Sequence, residues 1–205
     1  TNYKDCTVTV GNLLNGICQD PTGQSADKFY YQNGLVQNIT DVAHIGGKWY
    51  NLVQGRLVGN TVAENSNGWW RIDANGEVDF GYNGFASNEK DWWYIRDGKG
   101  QTGTTDVIQG IVDGESGWWN VKAGRISFTD TVAHNSNGWW RIADGKVDFS
   151  CNSVEQNENG WWYIRDGKVD FSYTGIAQNG YGWWRIVDGQ VDFGCNSVEQ
   201  NSNGW

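Results

Sequence analysis

Gly160-Trp161-Trp162-Tyr163-Ile164-Arg165-Asp166-Gly167-Lys168-Val169-Asp170-Phe171 is the cleanest copy of a unit that recurs along nearly the whole chain. Doubled tryptophans stand at Trp69-Trp70, Trp92-Trp93, Trp118-Trp119, Trp139-Trp140, Trp161-Trp162 and Trp183-Trp184, spaced by 23, 26, 21, 22 and 22 residues. A weaker copy, Trp49-Tyr50, precedes them by 20, and Trp205 follows Trp183 by 22. A fixed period of this length marks a repeat architecture. Asp166-Gly167 is a strong two-residue hairpin turn, because both positions need positive φ. Centring the turn there pairs Ile164 with Val169, Tyr163 with Asp170 and Trp162 with Phe171. Side chains alternate along a strand, so Trp162, Ile164, Val169 and Phe171 are expected on one face and Trp161, Tyr163 and Asp170 on the other.

Other copies agree with that division. Trp70, Ile72, Val78 and Phe80, like Trp140, Ile142, Val147 and Phe149, keep the Trp162 face apolar. The Tyr163 slot is Arg71, Tyr94, Asn120, Arg141 and Arg185 elsewhere, which suits water or a ligand. Each Arg there faces an acid across the hairpin, Arg71 with Asp79, Arg141 with Asp148 and Arg185 with Asp192, an arrangement that contributes a few tenths of a kcal/mol. The second Trp of each pair is therefore expected in the core, and the first is available. An apolar residue seven positions before the first Trp (Val42, Val62, Phe85, Ile111, Val132, Val154, Ile176) is expected to pack between hairpins. The Asn-rich segments between, such as 154–160 and 132–138, read as turns.

A single hairpin is marginal in water. Ordering each backbone costs roughly 1–2 kcal/mol, and the few large apolar side chains of one hairpin return about 1.5–3 kcal/mol each. Successive hairpins must bury one another. The expected fold is all-β, an elongated β-solenoid of stacked hairpins with about 22 residues per repeat. Residues 1–26 are non-repetitive and read as an N-terminal cap or the end of a preceding domain. Thr7 to Val10 suggests a short strand there, and Leu13, Leu14 and Ile17 offer apolar cover. Residues 27–205 form the array, degenerate at 27–68 and 92–117. After Asp97-Gly98 the expected Val-Asp-Phe is missing, and about four residues are inserted before register returns at Gly110-Ile111. The chain begins at Thr1 and ends on Gly204-Trp205, the opening of another repeat, so it reads as a piece of a longer protein.

The composition excludes several function classes. A net charge of −9 opposes nucleic acid, which asks for basic surface, and equally an anionic membrane. No apolar run approaches the roughly 20 residues that span a bilayer. Cys6 and Cys18 could form a disulfide at the N-terminal end. Cys151 and Cys195 share one repeat slot with Tyr82 and Tyr173 and read as small apolar filler. His44 and His134 occupy the loop slot of Glu64. The repeated Asp79, Asp148, Asp170 and Asp192 are hairpin positions rather than an acid/base pair. No phosphate loop, nucleophile elbow or metal-ligand spacing is present, and Asp73-Ala74-Asn75-Gly76 lacks the carboxylates of a calcium site. No catalytic residue, metal or cofactor is expected.

Gly-Trp-Trp-Tyr-Ile at 160–164, followed by Asp-Gly-Lys-Val-Asp-Phe-Ser-Tyr-Thr-Gly-Ile at 166–176, resembles the cell-wall-binding repeats of Gram-positive, clostridia-type bacteria. These are related to choline-binding and glucan-binding repeats and to clostridial toxin repeats. The resemblance covers about residues 27–205. It implies a secreted or cell-surface, non-catalytic module whose aromatic side chains bind wall polymers. The partners it implies are cell-wall polysaccharide, choline-bearing teichoic acid or another glycan. The Trp that choline-binding repeats place after Thr-Gly is Ile176 here, and Phe85, Ile111 or Val154 in other copies.

On the residues alone, the first Trp faces are the candidate ligand surface: Trp69, Trp92, Tyr94, Trp118, Trp139, Trp161, Tyr163 and Trp183. Aromatic surface beside polar groups stacks on sugar rings and holds organic cations, at about 0.5–2 kcal/mol per contact, and repeated weak sites gain by avidity. The competing expectation is that stacking buries the first Trp too. The array would then be a stalk, a self-associating scaffold or a host-protein-binding surface.

Overall fold

A computed structural model describes residues 6–8, 13–197 and 200; Thr9, Val10 and the closing Gly204-Trp205 lie outside them. The chain divides into two compact units, Thr1–Thr102 and Gly103–Trp205. Among the described residues every regular element is a β-strand, and each unit is a stack of antiparallel hairpins, a β-solenoid.

The second unit shows the repeat most clearly. Ser153–Asn157 pairs with Gly160–Arg165, and Gly160–Arg165 then pairs with the short strand Lys168–Val169. The same three strands recur as Asp106–Val112, Glu115–Lys122 and Arg125–Ile126; as Thr131–Asn135, Gly138–Ala143 and Lys146–Val147; and as Gly175–Asn179, Gly182–Val187 and Gln190–Val191. The expected register holds, with Ile164 opposite Val169 and the Asp170 amide donating to the Tyr163 carbonyl. Asp166 and Gly167 take φ of 51° and 76°, and Asp97-Gly98, Asp144-Gly145 and Asp188-Gly189 match them.

The Asn-rich segments are a correction. Only Glu158-Asn159 and Ser136-Asn137 turn; the residues before them are strands, Ser153–Asn157 and Thr131–Asn135, each paired with the Trp-Trp strand that follows. Asn is a weak strand former, and sequence composition hides its side-chain bonds. Asn157 Nδ2 donates to the Val132 carbonyl one repeat earlier, at 2.9 Å, while its Oδ1 accepts from Trp162 Nε1 and from the Asn159 amide. Asn135 and Asn179 do the same for Trp140 and Trp184, as does Asn65 for Trp70 in the first unit. The Asn clamps each repeat to its predecessor and satisfies the indole.

A second link runs from the turns. The Arg141 amide donates to the Gly167 carbonyl, and the Tyr163 amide to the Gly189 carbonyl. The turn therefore presses on the preceding repeat: a Cβ on Gly167 would meet the Asp148 carbonyl oxygen at 2.3 Å. Glycine is required there for space as well as for φ. Between these links sit fully buried Ile142, Ile164 and Ile186, with Val132 and Val154 beneath them.

The first unit repeats the scheme less regularly. Its strands are Leu14–Gln19, Lys28–Gln32 and Leu35–Val36; Asp41–Ile45, Lys48–Val53 and Arg56–Leu57; Thr61–Asn65 and Gly68–Ile72; and Gly84–Ser87, Trp92–Arg96 and Lys99–Gly100. The expected hairpins at Asn33-Gly34 and within 49–57 are present. Cys6–Val8 pairs with Leu14–Gln19. Cys18 is buried and disulfide-bonded, and the Cys6 side chain lies outside the described residues. Cys151 is a free thiol, and Cys195 Sγ lies 3.4 Å from the Ser197 hydroxyl.

The structure revises three further expectations. The insertion does not enlarge a loop after Gly98; it lengthens both strands of 106–122, moving the tip to Asp113-Gly114. Val107, opposite Asn120, is thus the buried counterpart of Val132, while Ile111 is 62% exposed. The Arg–Asp pairs face each other through the backbone, but the acids turn away. Asp148 accepts from the Ser150 hydroxyl and amide, which hold its carboxyl below the usual range. Arg141 instead pairs with Asp130 at 2.9 Å and Glu155 at 3.1 Å. Finally, Phe80, Phe149, Phe171 and Phe193 are not core but 46–67% exposed. Strand pairing ends two residues before each of them, so alternation no longer dictates their face.

Candidate functional site

Stacking brings the first Trp of one repeat onto the second Trp of the next. Trp139 packs on Trp162 with ring centroids 5.0 Å apart, Trp161 on Trp184 at 5.3 Å and, in the first unit, Trp69 on Trp93 at 4.2 Å. The second Trp is deeply covered at Trp93, Trp119 and Trp162, and only half-buried at Trp70, Trp140 and Trp184. The first Trp is half-buried at Trp69, Trp92, Trp118, Trp139 and Trp161, and 53% exposed at Trp183. The division into a core ring and a free ring is replaced by a shared interface that leaves part of most rings in solvent.

The exposed Phe side chains complete this surface. Phe149 stands edge-on to Trp140 at 5.7 Å, Phe193 to Trp184 at 6.0 Å and, in the first unit, Phe80 to Trp70 at 5.7 Å. Phe171 meets both Trp139 and Trp162, making a three-ring cluster. Such edge-to-face contacts are favourable because the ring edge is positive and the face negative. The signal for these Phe was their fixed place after Val-Asp, which alternation assigned to the interior.

Several of the tryptophan faces already hold a cation. Lys168 Nζ lies 5.1 Å from the Trp140 ring centroid, Lys146 Nζ 5.7 Å from Trp119 and, in the first unit, Lys99 Nζ 5.3 Å from Trp70. Each lysine follows an Asp-Gly or equivalent turn and reaches back across the Gly that opens the preceding Trp-Trp strand. A Cβ on Gly138 would sit 2.4 Å from Lys168 Cε, and the φ of +140° there, repeated at Gly160 and Gly182, itself favours Gly before the doubled Trp. In the next copy the lysine is replaced by Gln190, packed on Gly160.

The remaining expected site residues fall into separate places. Tyr163 stacks on Tyr173 at 4.0 Å, with the Arg165 guanidinium 5.6 Å from the Tyr163 ring. Tyr94 lies against Phe85. Trp118 packs beside Val107 and Ile142. Trp92 and Trp183 sit in strands opposite Ser87 and Gln178. Trp161 and Tyr163 share one cluster with Tyr173 and Trp184.

Beside this aromatic surface lies a groove walled by Trp161 and the 83% exposed Tyr181, set edge to face at 5.9 Å. Its opposite side is the Asp130–Arg141–Glu155 network. The Asp144 amide and then Arg141 hold the Asp130 carboxyl below its usual range. Burial pushes the nearby Cys151 thiol up to about 11, so it is a packing residue at neutral pH. No group of His, Cys, Asp and Glu among the described residues could hold a metal ion. No helix among them is long and apolar enough to cross a membrane.

Known proteins share parts of this sequence and fold. Residues 59–72, 81–101, 127–148, 152–170 and 172–192 match the family described as choline-binding repeat. No curated protein matches the sequence. Among solved structures, the chain is similar to CbpJ of Streptococcus pneumoniae TIGR4, with 18% identity, 86% of this chain and 61% of that one covered, and a TM-score of 0.39. It is also similar to choline binding protein F of Streptococcus pneumoniae, with 17% identity, 91% and 63% covered, and a TM-score of 0.37. The modular autolysin LytC of the same species matches with 14% identity, 92% and 45% covered, and a TM-score of 0.44. The chain spans less than two thirds of the length of each. In these five segments the chain carries repeats of the choline-binding type.

Proposed function

We propose that this array is a non-catalytic, extracellular module that attaches a larger surface or secreted protein to cell-wall polymers, choline-bearing teichoic acid first among them. The supporting observation is the use the chain makes of its own rings. Three tryptophan faces attract lysine ammonium groups, and exposed Phe edges stand beside two of the same indoles. A ring quadrupole that holds an ammonium also holds a trimethylammonium, which is less hydrated and cheaper to strip of water. The candidate ligand surface comprises Trp69, Trp92, Tyr94, Trp118, Trp139, Trp161, Tyr163 and Trp183, extended by Phe80, Phe149, Phe171 and Phe193. Individual contacts of about 0.5–2 kcal/mol become useful when repeated along one polymer.

Tryptophan fluorescence during choline titration, beside co-sedimentation with purified Gram-positive cell walls, tests this reading. The expected result is a saturable emission change and wall binding that free choline competes away. The half-burial of the first tryptophans favours a second reading, a scaffold or protein-contact array. Absence of both sedimentation and spectral change would establish that one instead.

A further inference from the structure

The Trp161–Tyr181 groove has a sister one repeat earlier. Val132 and Asn157 line the earlier groove where Val154 and Asn179 line the later one, each pair 22 residues apart. Both grooves are open to solvent, the earlier holding about 140 Å³ and the later about 230 Å³, room for a single small group rather than a drug-sized ligand. Their contents differ. In the later groove the Arg141 guanidinium fills the inner wall between Asp130 and Glu155. In the earlier groove Arg141 is replaced by Asn120 and Glu155 by Ala133.

The replacement leaves a donor without an acceptor. Asn120 is 2% exposed, and its Nδ2 has no hydrogen-bond partner among the described residues. Arg71 Nε in the first unit also lacks a partner, but three other residues of this slot are bonded or stacked within the fold. Arg185 Nη1 donates to the Gly175 and Ile186 carbonyls, Tyr163 stacks on Tyr173, and Asn51 Nδ2 donates to the Val58 carbonyl at 2.8 Å. An unmade bond at a buried amide is destabilising, and a ligand acceptor entering the groove would supply it. The Asn χ2 torsion is soft, so the amide can turn to meet that acceptor.

We propose that this groove is a subsite for a neutral, hydroxyl-rich ligand, one sugar ring of a glycan. Its lining mixes donors and acceptors of both signs, with Lys122 opposed by Asp106 and Glu158, and Thr131 and His134 beside Asn120. A phosphate or an ammonium would be repelled by part of that lining, whereas a hydroxyl donates to the carboxylates and accepts from the amide and the ammonium. Val132 and Ala133 give the sugar's C–H face an apolar floor. The inference deepens the wall-binding reading by adding a second kind of contact, polar and set apart from the rings.

The test is amide-detected NMR of the full ¹⁵N-labelled chain, titrated separately with isomaltotriose and with the N-acetylglucosamine trimer. Choline fluorescence is followed in parallel. The expected result is a saturable shift of the Asn120 side-chain amide with one of the sugars. In Asn120→Arg, which introduces the side chain of the following repeat, sugar affinity falls about tenfold or more, as loss of a bond from a buried amide requires, and the choline response is unchanged. Thr131→Val weakens the sugar several-fold and serves if the Arg variant does not fold. No shift with either sugar, or a sugar affinity, read from the backbone amides, that survives both substitutions, overturns the subsite whatever the choline result. Loss of the choline response with the sugar shift intact overturns the aromatic reading alone.

Discussion

The Trp118 and Trp161 repeats share one backbone and differ in what fills it. In the Trp161 repeat, Asn157 clamps the predecessor and caps the Trp162 indole. In the Trp118 repeat Gly110 stands in that slot, and its carbonyl accepts from Trp119 Nε1 at 3.2 Å. The first hairpin is regular in length, with Gln156 opposite Trp161; the second carries four further residues toward Asp113-Gly114. Tyr163 is stacked between repeats, and Asn120 is left with an idle donor. The scaffold thus depends on the turn carbonyls and buried aliphatics common to both repeats, while the other positions are free to specialise.

The largest test of that division is in the aliphatic layer. Ile164→Ala should cost ~2–5 kcal/mol, the usual range for a buried isoleucine, since Ile164 is wholly buried. In the Trp118 repeat, Ile111→Ala should stay within about 0.5 kcal/mol because Ile111 is exposed, whereas Val107→Ala should cost ~1–3 kcal/mol. Urea unfolding midpoints decide it. A costly Ile111→Ala would restore the simple seven-residue spacing and remove the longer hairpin.

The clamp comes next. Asn157→Ala removes one bond to the Val132 carbonyl and strands the Trp162 indole N–H, so a loss of ~1–3 kcal/mol is expected. Gly110→Ala, which keeps the carbonyl that caps Trp119, should cost much less. Equal losses at both positions, read in the same unfolding assay, would show that the Asn is filler rather than a link.

How much of this was legible depended on whether an interaction lay within a repeat or between two. The Asp166-Gly167 turn, the Ile164–Val169 register and the period are local, and the residues dictate them directly. Asn157 read as a loop residue because its partner, Val132, lies 25 residues away and carries no side-chain signal. Phe171 read as core because alternation was extended past the last paired residue. Arg141 was matched to the acid opposite it, although Ser150, two residues beyond Asp148, already supplied that acid's donors. The pairing of Gly138 with Lys168 could have been seen by reading across periods: in the later copies, a Lys or Gln after the turn accompanies a Gly before the preceding Trp-Trp.

That pairing gives a smaller effect with a sharper contrast. Gly138 has φ of +140°, and Gly117, its counterpart, is not in the left-handed region. Gly138→Ala therefore meets both backbone strain, about 1–3 kcal/mol, and the Lys168 stem; adding Lys168→Ala should recover only part of the loss. Gly117→Ala meets only the Lys146 side chain, at 2.3 Å, and the double variant with Lys146→Ala should behave like Lys146→Ala alone. A double-mutant cycle at each site separates steric from backbone cost.

The smallest effect bears most directly on function. Lys168→Ala removes one ammonium from the Trp140 face, a stabilisation of ~0.5–1 kcal/mol at a site of this exposure. Under the cation-binding reading the same change vacates a ring face beside Phe149, so choline should bind that step more tightly while the fold weakens slightly. Gln190→Lys does the reverse one repeat on, adding a cation above Trp162 and competing with an external one. Fluorescence titration of the two variants should move in opposite directions. If both leave choline affinity unchanged, the lysine-covered faces are purely structural, and the ligand contacts must be sought at Trp183 and the Trp161–Tyr181 groove instead.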